Sequence, residues 1–337
     1  MDSRKTLVDR AIAFAHPERV PVVFWNCDQT EGDVMLYHLS LGRPGDGDPS
    51  ANSWDWSVNE WGYQLESSDD GTMGYPVEPY WPELPSPDQI AVPTLREEDR
   101  MAAAPVFFVE CGDRYRLASL DLSGFTVYTL LRGFENAMED FLIAPDRFAA
   151  VMDSILDFEC QLIAMAARHG FHGIHFADDW GTQNGLMISP DLWRRLFKPR
   201  YRRQFESAHQ AGLDVWYHCC GDLIDIAEDF HEIGVDVLNI AQPNVVDLDE
   251  VGRRLQGRQC FMMPISYQTV SIQGTPDEIC AEARRMYELL ATEAGGFIGY
   301  VEEYGCMGMS NENYQACGEA FQRLNAGMLQ HAARTSS

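Results

Sequence analysis

The chain has 337 residues and carries 52 acidic against 25 basic side chains, which gives a formal net charge of −27. Its only lysines are Lys5 and Lys198, so it offers no basic stripe that could bind nucleic acid or an anionic lipid surface. No apolar run approaches the roughly 20 residues that a membrane-spanning helix requires. Composition therefore argues against nucleic-acid binding and against membrane insertion.

The cysteines and the N-terminus indicate the cellular setting. Nine cysteines are an odd number in a long chain, and residues 1–10 are polar and charged, unlike a secretory signal. Both features predict a reducing, cytoplasmic environment. The sequence leaves the oligomeric state open, with a homodimer among the alternatives.

The first half of the chain has an uneven pattern. It predicts a helix over residues 4–14 and a strand over residues 19–25. Residues 44–100 are rich in Gly, Pro, Asp and aromatic side chains without a sustained period, which predicts an inserted, lid-like excursion. A hairpin is predicted over residues 107–120 and a strand over 125–130, followed by helices over 135–142 and 145–170.

From residue 173 onward, strand and helix patterns alternate regularly. The predicted strands are 173–176, 215–218, 237–240, 259–262 and 297–301, and the predicted helices are 190–210, 223–233, 248–255, 276–292 and 312–332. Repeated β-α units imply parallel strands joined by right-handed crossovers. We therefore predict an α/β fold in which residues 1–337 form a single (β/α)8 TIM barrel, regular or distorted.

Polar side chains follow several predicted strands, at the end of the barrel where active sites form. The candidates are Asn26, Asp178, Trp180, His218, Cys220, Gln242, Ser266, Glu303, Tyr304 and Cys306. We predict that Asp178 and Glu303 act as acid/base groups. The predicted substrate contacts are Asn26, Trp180, Gln242, Ser266 and Tyr304.

The segment from Val215 to Asp222 predicts a strand, a tight turn and a helix. His218 and Cys220 are two residues apart on extended backbone, so both side chains leave the same face and can bind one ion. We expect Asp222 to cap the following helix, whose N-terminus would lower the pKa of the Cys220 thiol. Cys306 offers a third ligand, and three protein ligands with one open position are typical of catalytic zinc. A buried histidine beside two inert thiols is the alternative.

With these residues in view, the chain resembles the uroporphyrinogen decarboxylase superfamily, and more narrowly its cobalamin-associated methyltransferase branch. The matching pieces are Arg19-Val20-Pro21-Val22, Asp178-Asp179-Trp180-Gly181, His218-Cys219-Cys220-Gly221, Gly274-Thr275-Pro276 and Glu312-Asn313. The resemblance implies a (β/α)8 barrel. It also implies that His218, Cys220 and Cys306 bind Zn²⁺, which activates a thiol acceptor such as coenzyme M or homocysteine.

Two departures bear on activity. The decarboxylase grips porphyrin carboxylates with an arginine-rich segment after its first strand, whereas residues 24–30 here contain no arginine. Ser266 stands where relatives often have a carboxylate, which indicates a changed substrate.

The leading hypothesis is therefore a zinc methyltransferase that moves a methyl group between a corrinoid, carried by a partner protein, or a small methylated donor and a thiol acceptor. The alternatives are a corrinoid-dependent demethylase of a small methylated or methoxylated compound, a decarboxylase-like lyase acting on a small acid, and a non-catalytic accessory protein.

Overall fold

The fold is built on a ring of eight parallel strands. A computed structural model describes residues 2–25, 29–44, 54–66 and 75–335. The barrel strands are β1 Val22–Trp25, β2 Val34–His38, β3 Tyr115–Leu122, β4 Gly173–Ala177, β5 Asp214–Cys219, β6 Val237–Ile240, β7 Cys260–Pro264 and β8 Phe297–Glu302. Their hydrogen-bonded order is β1-β8-β7-β6-β5-β4-β3-β2, and every pairing in it is parallel.

The barrel is nearly closed, because its first and last strands pair and the seam between β1 and β2 is bridged by hydrogen bonds of Asp33. Across that seam, β1 and β2 are joined through Asp33, whose N–H donates to the Val22 carbonyl at 2.8 Å. Its carboxylate accepts the Val22 N–H at 2.9 Å and also pairs with Arg19. The predicted (β/α)8 barrel is thus confirmed.

Helices surround the strands on the outside. They are α1 Arg4–Ile12, α2 Glu97–Arg100, α3 Ala104–Cys111, α4 Gly124–Arg132, α5 Phe134–Ile143, α6 Pro145–Arg168, α7 Pro190–Leu196, α8 Lys198–Gln210, α9 Ala227–Glu232, α10 Leu248–Leu255, α11 Val270–Gln273, α12 Pro276–Leu290 and α13 Asn311–Thr335. Among the described residues, no helix is both long and apolar enough to cross a membrane.

Alternation along the strands divides the core in two. On β5, Val215, Tyr217 and Cys219 pack in the large cluster between sheet and helices, while Trp216 belongs to the cluster that fills the barrel. Because successive side chains point to opposite faces, His218 is on the inner side with Trp216. This register places His218 inside the barrel near its carboxyl end.

Two predicted strands are wrong. Residues 107–110 lie in α3, where Ala104, Phe107 and Cys111 are buried at helical spacing while Val106 and Val109 are exposed. Residues 125–130 lie in α4, which is buried on almost every side. A short helix that is apolar all round shows no period that distinguishes it from a buried strand.

The described part of the predicted excursion contains short antiparallel pairs. Gly42–Pro44 pairs with Trp54–Asn59, and Leu65–Glu66 pairs with Tyr75–Pro76. The excursion packs on α6, where the Trp61 ring meets Phe158 edge-on with centroids 5.5 Å apart. Glu60 forms an ion pair with Arg100, whose side chain is fully buried. The division of the chain into one domain with a lid stays a prediction.

Candidate active site

Three ligand-type side chains meet at the carboxyl ends of β4 and β5. The Cys220 sulfur lies 3.5 Å from His218 Nε2, and Asp179 Oδ1 lies 3.8 Å from the same nitrogen. The three ligand atoms are all within 4.8 Å of one another. Two of the three, His218 and Cys220, are predicted zinc ligands.

These separations fit a single zinc ion. Bonds of about 2.0 to 2.3 Å in a tetrahedron place neighbouring ligand atoms about 3.3 to 3.8 Å apart. An imidazole nitrogen, a thiolate and a carboxylate are all common zinc ligands, and three of them leave the fourth position for substrate or water. The described residues therefore fit the ion that the family resemblance implies.

Asn239 fixes the orientation of the His218 ring. Its side-chain oxygen lies 2.6 Å from His218 Nδ1, and its amide nitrogen donates to the Met262 carbonyl at 2.7 Å. Because the amide nitrogen is committed to Met262, the oxygen must accept the Nδ1 proton. This arrangement leaves the Nε2 lone pair directed at the cluster, as a metal-bound histidine needs.

Asp179 is held against the turn that follows β5. Its Oδ1 accepts the backbone N–H of Cys220 at 2.7 Å, and its own N–H donates to Thr126 Oγ1 at 3.1 Å. The two loops cross closely here, because a Cβ on Gly221 would lie 2.1 Å from the Gly181 backbone carbon. Gly221 has φ +77°, so only glycine suits this crossing.

The Cys220 thiol differs from our expectation. Burial raises its pKa above the ordinary value, and the nearby Asp179 carboxylate raises it further. The predicted helix effect is wrong, because α9 begins only at Ala227 and Asp222 accepts the N–H of Ile224 at 3.1 Å. A divalent cation deprotonates a thiol that coordinates it, so a metal would supply what the helix does not.

Cys306 and Glu303 do not join the described cluster. Both are exposed, and Cys306 lies in the single turn Gly305–Met307. Among the described residues, the third ligand-type group beside His218 and Cys220 is Asp179. The ligand role of Cys306 and the acid/base role of Glu303 stay predictions, and the geometry does not support either.

Asp178 is a buried anchor for α4. It is 1 % exposed, and its carboxylate accepts from Thr126 N and Oγ1 at 2.7 and 2.9 Å and from Phe125 N at 3.2 Å. Two tyrosine hydroxyls, those of Tyr201 and Tyr217, also donate to it. Burial raises the pKa of Asp178 to about 7 against these hydrogen bonds, which lower it. The contacts give it a structural role, and its predicted acid/base role stays a prediction.

The predicted substrate contacts divide into buried and accessible groups. Trp180 is fully buried and stacks on Phe125 with centroids 4.2 Å apart, and Ser266 is fully buried with its hydroxyl on Asn244. Gln242 is partly exposed and accepts the Gly221 N–H at 2.9 Å.

Tyr304 is partly exposed, and its hydroxyl donates to Glu302 at 2.8 Å. Asn26 lies outside the described residues. Of the predicted substrate contacts that the structure describes, Gln242 and Tyr304 are placed where a substrate could touch them.

A cavity of about 430 Å³ opens beside the cluster. His218 and Asn239 form one part of its wall, and Trp25, Tyr300 and Glu302 form another. A larger recess of about 700 Å³ lies on the excursion, and its described lining contains none of the three cluster residues. The smaller cavity is therefore the better candidate for substrate binding, because His218 forms part of its wall.

Further residues of this cavity did not appear among the predicted sites. Asp121 accepts from His38 Nδ1 at 2.5 Å and from Ser119 Oγ at 3.2 Å, and Ser119 Oγ lies 3.1 Å from His175 Nδ1. Burial lowers the pKa of His175 to about 3, so its ring is neutral. Asn239 has the clearest sequence signal, because it is the only polar residue in the strand Val-Leu-Asn-Ile.

An eight-stranded barrel with ligand-type groups at the carboxyl ends of its strands has the architecture of a TIM-barrel enzyme. The family model of uroporphyrinogen decarboxylase (URO-D) matches residues 85–323. The chain therefore belongs to the uroporphyrinogen decarboxylase family and is an enzyme of that superfamily. No protein with a curated description matches it.

A solved structure shares this fold. A methyltransferase from Methanosarcina mazei superposes with a TM-score of 0.71 at 15 % identity, covering 96 % of this chain and 99 % of the other. Xylanase 10B from Thermotoga maritima gives 0.45 at 10 % identity over 97 % and 100 % of the two chains. At this identity the first match shows a shared fold, and the second is too distant to carry an argument.

Proposed function

We propose that the protein is a zinc-dependent methyltransferase that moves a methyl group from a corrinoid, or from a small methylated donor, to a thiol. The observation that carries this proposal is the convergence of His218, Cys220 and Asp179 beside a cavity at the barrel mouth. A zinc ion held there would keep a substrate thiol deprotonated at neutral pH.

The protein's own residues prepare the site in three ways. Asn239 fixes the His218 tautomer, and Asp179 ties the β4 and β5 loops together through the Cys220 N–H. Gln242 accepts the Gly221 N–H and so holds the turn that carries Cys220. Together they fix the ligand positions before substrate binds, which reduces the cost of reorganisation during reaction.

The methyl transfer requires no additional oxidant or reductant. The thiol proton leaves to solvent, the thiolate sulfur forms a bond to the methyl carbon, and the cobalt–carbon bond of the donor breaks. The electron pair of that bond stays on cobalt. The protein has to exclude water and align sulfur, carbon and cobalt, which is the work of a cavity with fixed walls.

The comparison with known proteins supports this reading at two levels. Family membership supports an enzyme of this superfamily, and the fold shared with a methyltransferase from Methanosarcina mazei is consistent with methyl transfer. The cobalamin-associated branch, a corrinoid protein docking at the barrel mouth and the homodimer all belong to this proposal. A cytoplasmic location stays a prediction.

The direct test is a methyl-transfer assay with zinc-loaded protein, methylcobalamin and a set of small thiols. We expect a thiol-dependent loss of the cobalt–carbon absorption band and formation of the matching thioether, both abolished by Cys220→Ser. Turnover that is unchanged after complete removal of zinc would contradict the proposal.

A demethylase is the second candidate, because Trp25 and Trp61 line the cavity and suit a methylated or methoxylated organic donor. The lyase alternative has less support. Both carboxylate oxygens of Asp178 are engaged, and among the described side chains that line the cavity there is no arginine or lysine to hold an acid.

A further inference from the structure

The described lining of the 430 Å³ cavity is acidic. Its acidic side chains are Glu60, Asp121, Glu159 and Glu302, and its described lining side chains include neither lysine nor arginine. Burial raises the pKa of Glu159 to about 8, so at pH 7 the charged carboxylates are Glu60, Asp121 and Glu302. The whole chain adds a net charge of −27, so the field at this cavity disfavours an anion.

Part of this charge is balanced within the wall. Glu60 pairs with the fully buried Arg100, and Asp121 pairs with His38. Glu302 is oriented by two hydroxyl donors, Tyr300 at 2.5 Å and Tyr304 at 2.8 Å. Two donors on one oxygen hold this carboxylate in a defined position on the cavity wall.

A second, independent observation concerns His175, which also lines the cavity. Ser119 donates its hydroxyl proton to Asp121, so the Ser119 oxygen accepts from Nδ1–H of His175. The other ring nitrogen, Nε2, is then an acceptor, and it has no hydrogen-bond partner among the described residues although His175 is only 2 % exposed. A buried acceptor of this kind calls for a donor from a ligand.

Aromatic rings form another part of the cavity wall, next to His175 and Tyr300. The Trp25 ring lies 4.6 Å from the His175 ring and 5.9 Å from the Tyr300 ring, measured between centroids. Trp61 and Tyr63 also contribute to the wall. The faces of such rings attract cations as well as apolar groups.

We propose that this cavity binds a small organic ammonium, with its N–H groups donating to Glu302 and His175 and its apolar body against the aromatic rings. That this ligand is the substrate, as methyl donor or as thiol acceptor, rests on the proposed function. Anionic acceptors such as coenzyme M, which the family resemblance implies, fit this wall poorly.

Three ligands of matched shape test the charge preference without a thiol: 2-phenylethylamine, 2-phenylethanol and 3-phenylpropionate. Binding to the purified full-length protein is measured at pH 7 by calorimetry and by quenching of tryptophan fluorescence. We expect the amine to bind about tenfold more tightly than the alcohol and the propionate to bind most weakly, because a charge pair in a partly buried site contributes on this scale.

The variant Glu302→Gln keeps an oxygen acceptor for both tyrosines and removes the charge. We expect it to reduce the preference for the amine over the alcohol about tenfold. Glu288→Gln removes the same charge from the exposed face of α12 and should leave the preference unchanged. Should Glu302→Gln fold poorly, the three-ligand series on the parent protein still decides the question.

Equal affinity for the three ligands, tighter binding of the propionate, or no binding by any of them would overturn the inference. The methyl-transfer assay is a separate readout. Methyl transfer that prefers anionic thiols to aminothiols would overturn this inference and leave the proposed function standing. Preferential binding of the amine without any methyl transfer would support this inference and contradict the proposed function.

Discussion

Asp178 and Asp179 are adjacent in the chain, yet their carboxylates serve opposite sides of the barrel wall. Asp178 is 1 % exposed and accepts from α4 and from two tyrosines, whereas the Asp179 side chain is 39 % exposed and lies 3.8 Å from His218 Nε2. Both residues lie just beyond the end of β4, and their carboxylates contact different neighbours, which separates the two roles. One carboxylate therefore stabilises the fold and its neighbour is available to the metal site.

The same substitution at both positions should separate these roles. Asp178→Asn turns an amide NH₂ toward a group of donors, so we expect the free energy of unfolding to fall by about 2 to 4 kcal/mol. Asp179→Asn keeps an acceptor for Cys220 N–H at a partly exposed site and should change it by less than about 0.5 kcal/mol. Urea unfolding of the metal-free proteins measures both. Equal destabilisation by the two changes would contradict the assignment.

The metal ligands can be tested by zinc content. We expect close to one zinc per chain in the parent protein, and loss of most of it in His218→Ala, Cys220→Ser and Asp179→Asn, because each removes one of three ligands. Elemental analysis after dialysis gives the stoichiometry, and circular dichroism confirms that each variant is folded.

Cys306→Ser is the matched control for that series. Cys306 is exposed and lies outside the described cluster, so its replacement should leave zinc content unchanged. If Cys306→Ser loses zinc while Asp179→Asn retains it, the ligand set implied by the family resemblance holds and the one favoured by the geometry fails.

Asn239 should act on the metal through His218. Replacing it with alanine removes the acceptor that fixes the ring, and such indirect contacts commonly change metal affinity by about 10- to 100-fold. We expect zinc affinity of Asn239→Ala to fall within this range, as measured by competition with a chelator. Asn244→Ala is a suitable control, because its side chain contacts Ser266 and not His218. Unchanged affinity in Asn239→Ala would show that the ring is held by other contacts.

The sequence predicts the barrel well from β4 onward and poorly before it. In the second half, each apolar strand is followed by an amphipathic helix, and helix α10 Leu248–Leu255 has the predicted bounds. In the first half, α3 and α4 are apolar on several faces, and the β-α rhythm is interrupted by the excursion. The spacing of apolar residues does not distinguish a helix from a strand where tertiary contacts bury a short helix on all sides.

For the candidate site, the sequence predicts that His218 and Cys220 lie together, but it does not predict that Asp179 joins them. His218 and Cys220 come together because strand geometry alone places them on one face. The family resemblance implies Cys306, but the partner that the structure brings close is Asp179, which depends on where the β4 loop crosses the turn at Gly221. Trp180 and Ser266 are polar or amphipathic residues near strand ends, and only the packing shows that they are buried.

A further prediction concerns pH and the opposite end of the barrel. Asp214, at the start of β5, accepts from the Tyr115 hydroxyl at 2.6 Å, and burial raises its pKa to about 6. An unfolded aspartate has a pKa of about 3.9. Because the folded state binds this proton more tightly, the carboxyl favours folding at low pH, and that contribution is lost as the pH rises from about 4 to about 6.

Asp214→Asn should therefore stabilise the protein in a pH-dependent way. The amide oxygen can still accept from Tyr115, and no charge has to be buried, so we expect a gain of about 2 kcal/mol at pH 7 and almost none at pH 4. Urea unfolding at several pH values measures the difference between variant and parent. Asp249→Asn, at an exposed ion pair with Arg285, should show no such trend. A gain that is the same at pH 4 and pH 7 would show that the Asp214 carboxyl does not titrate differently in the folded and unfolded states.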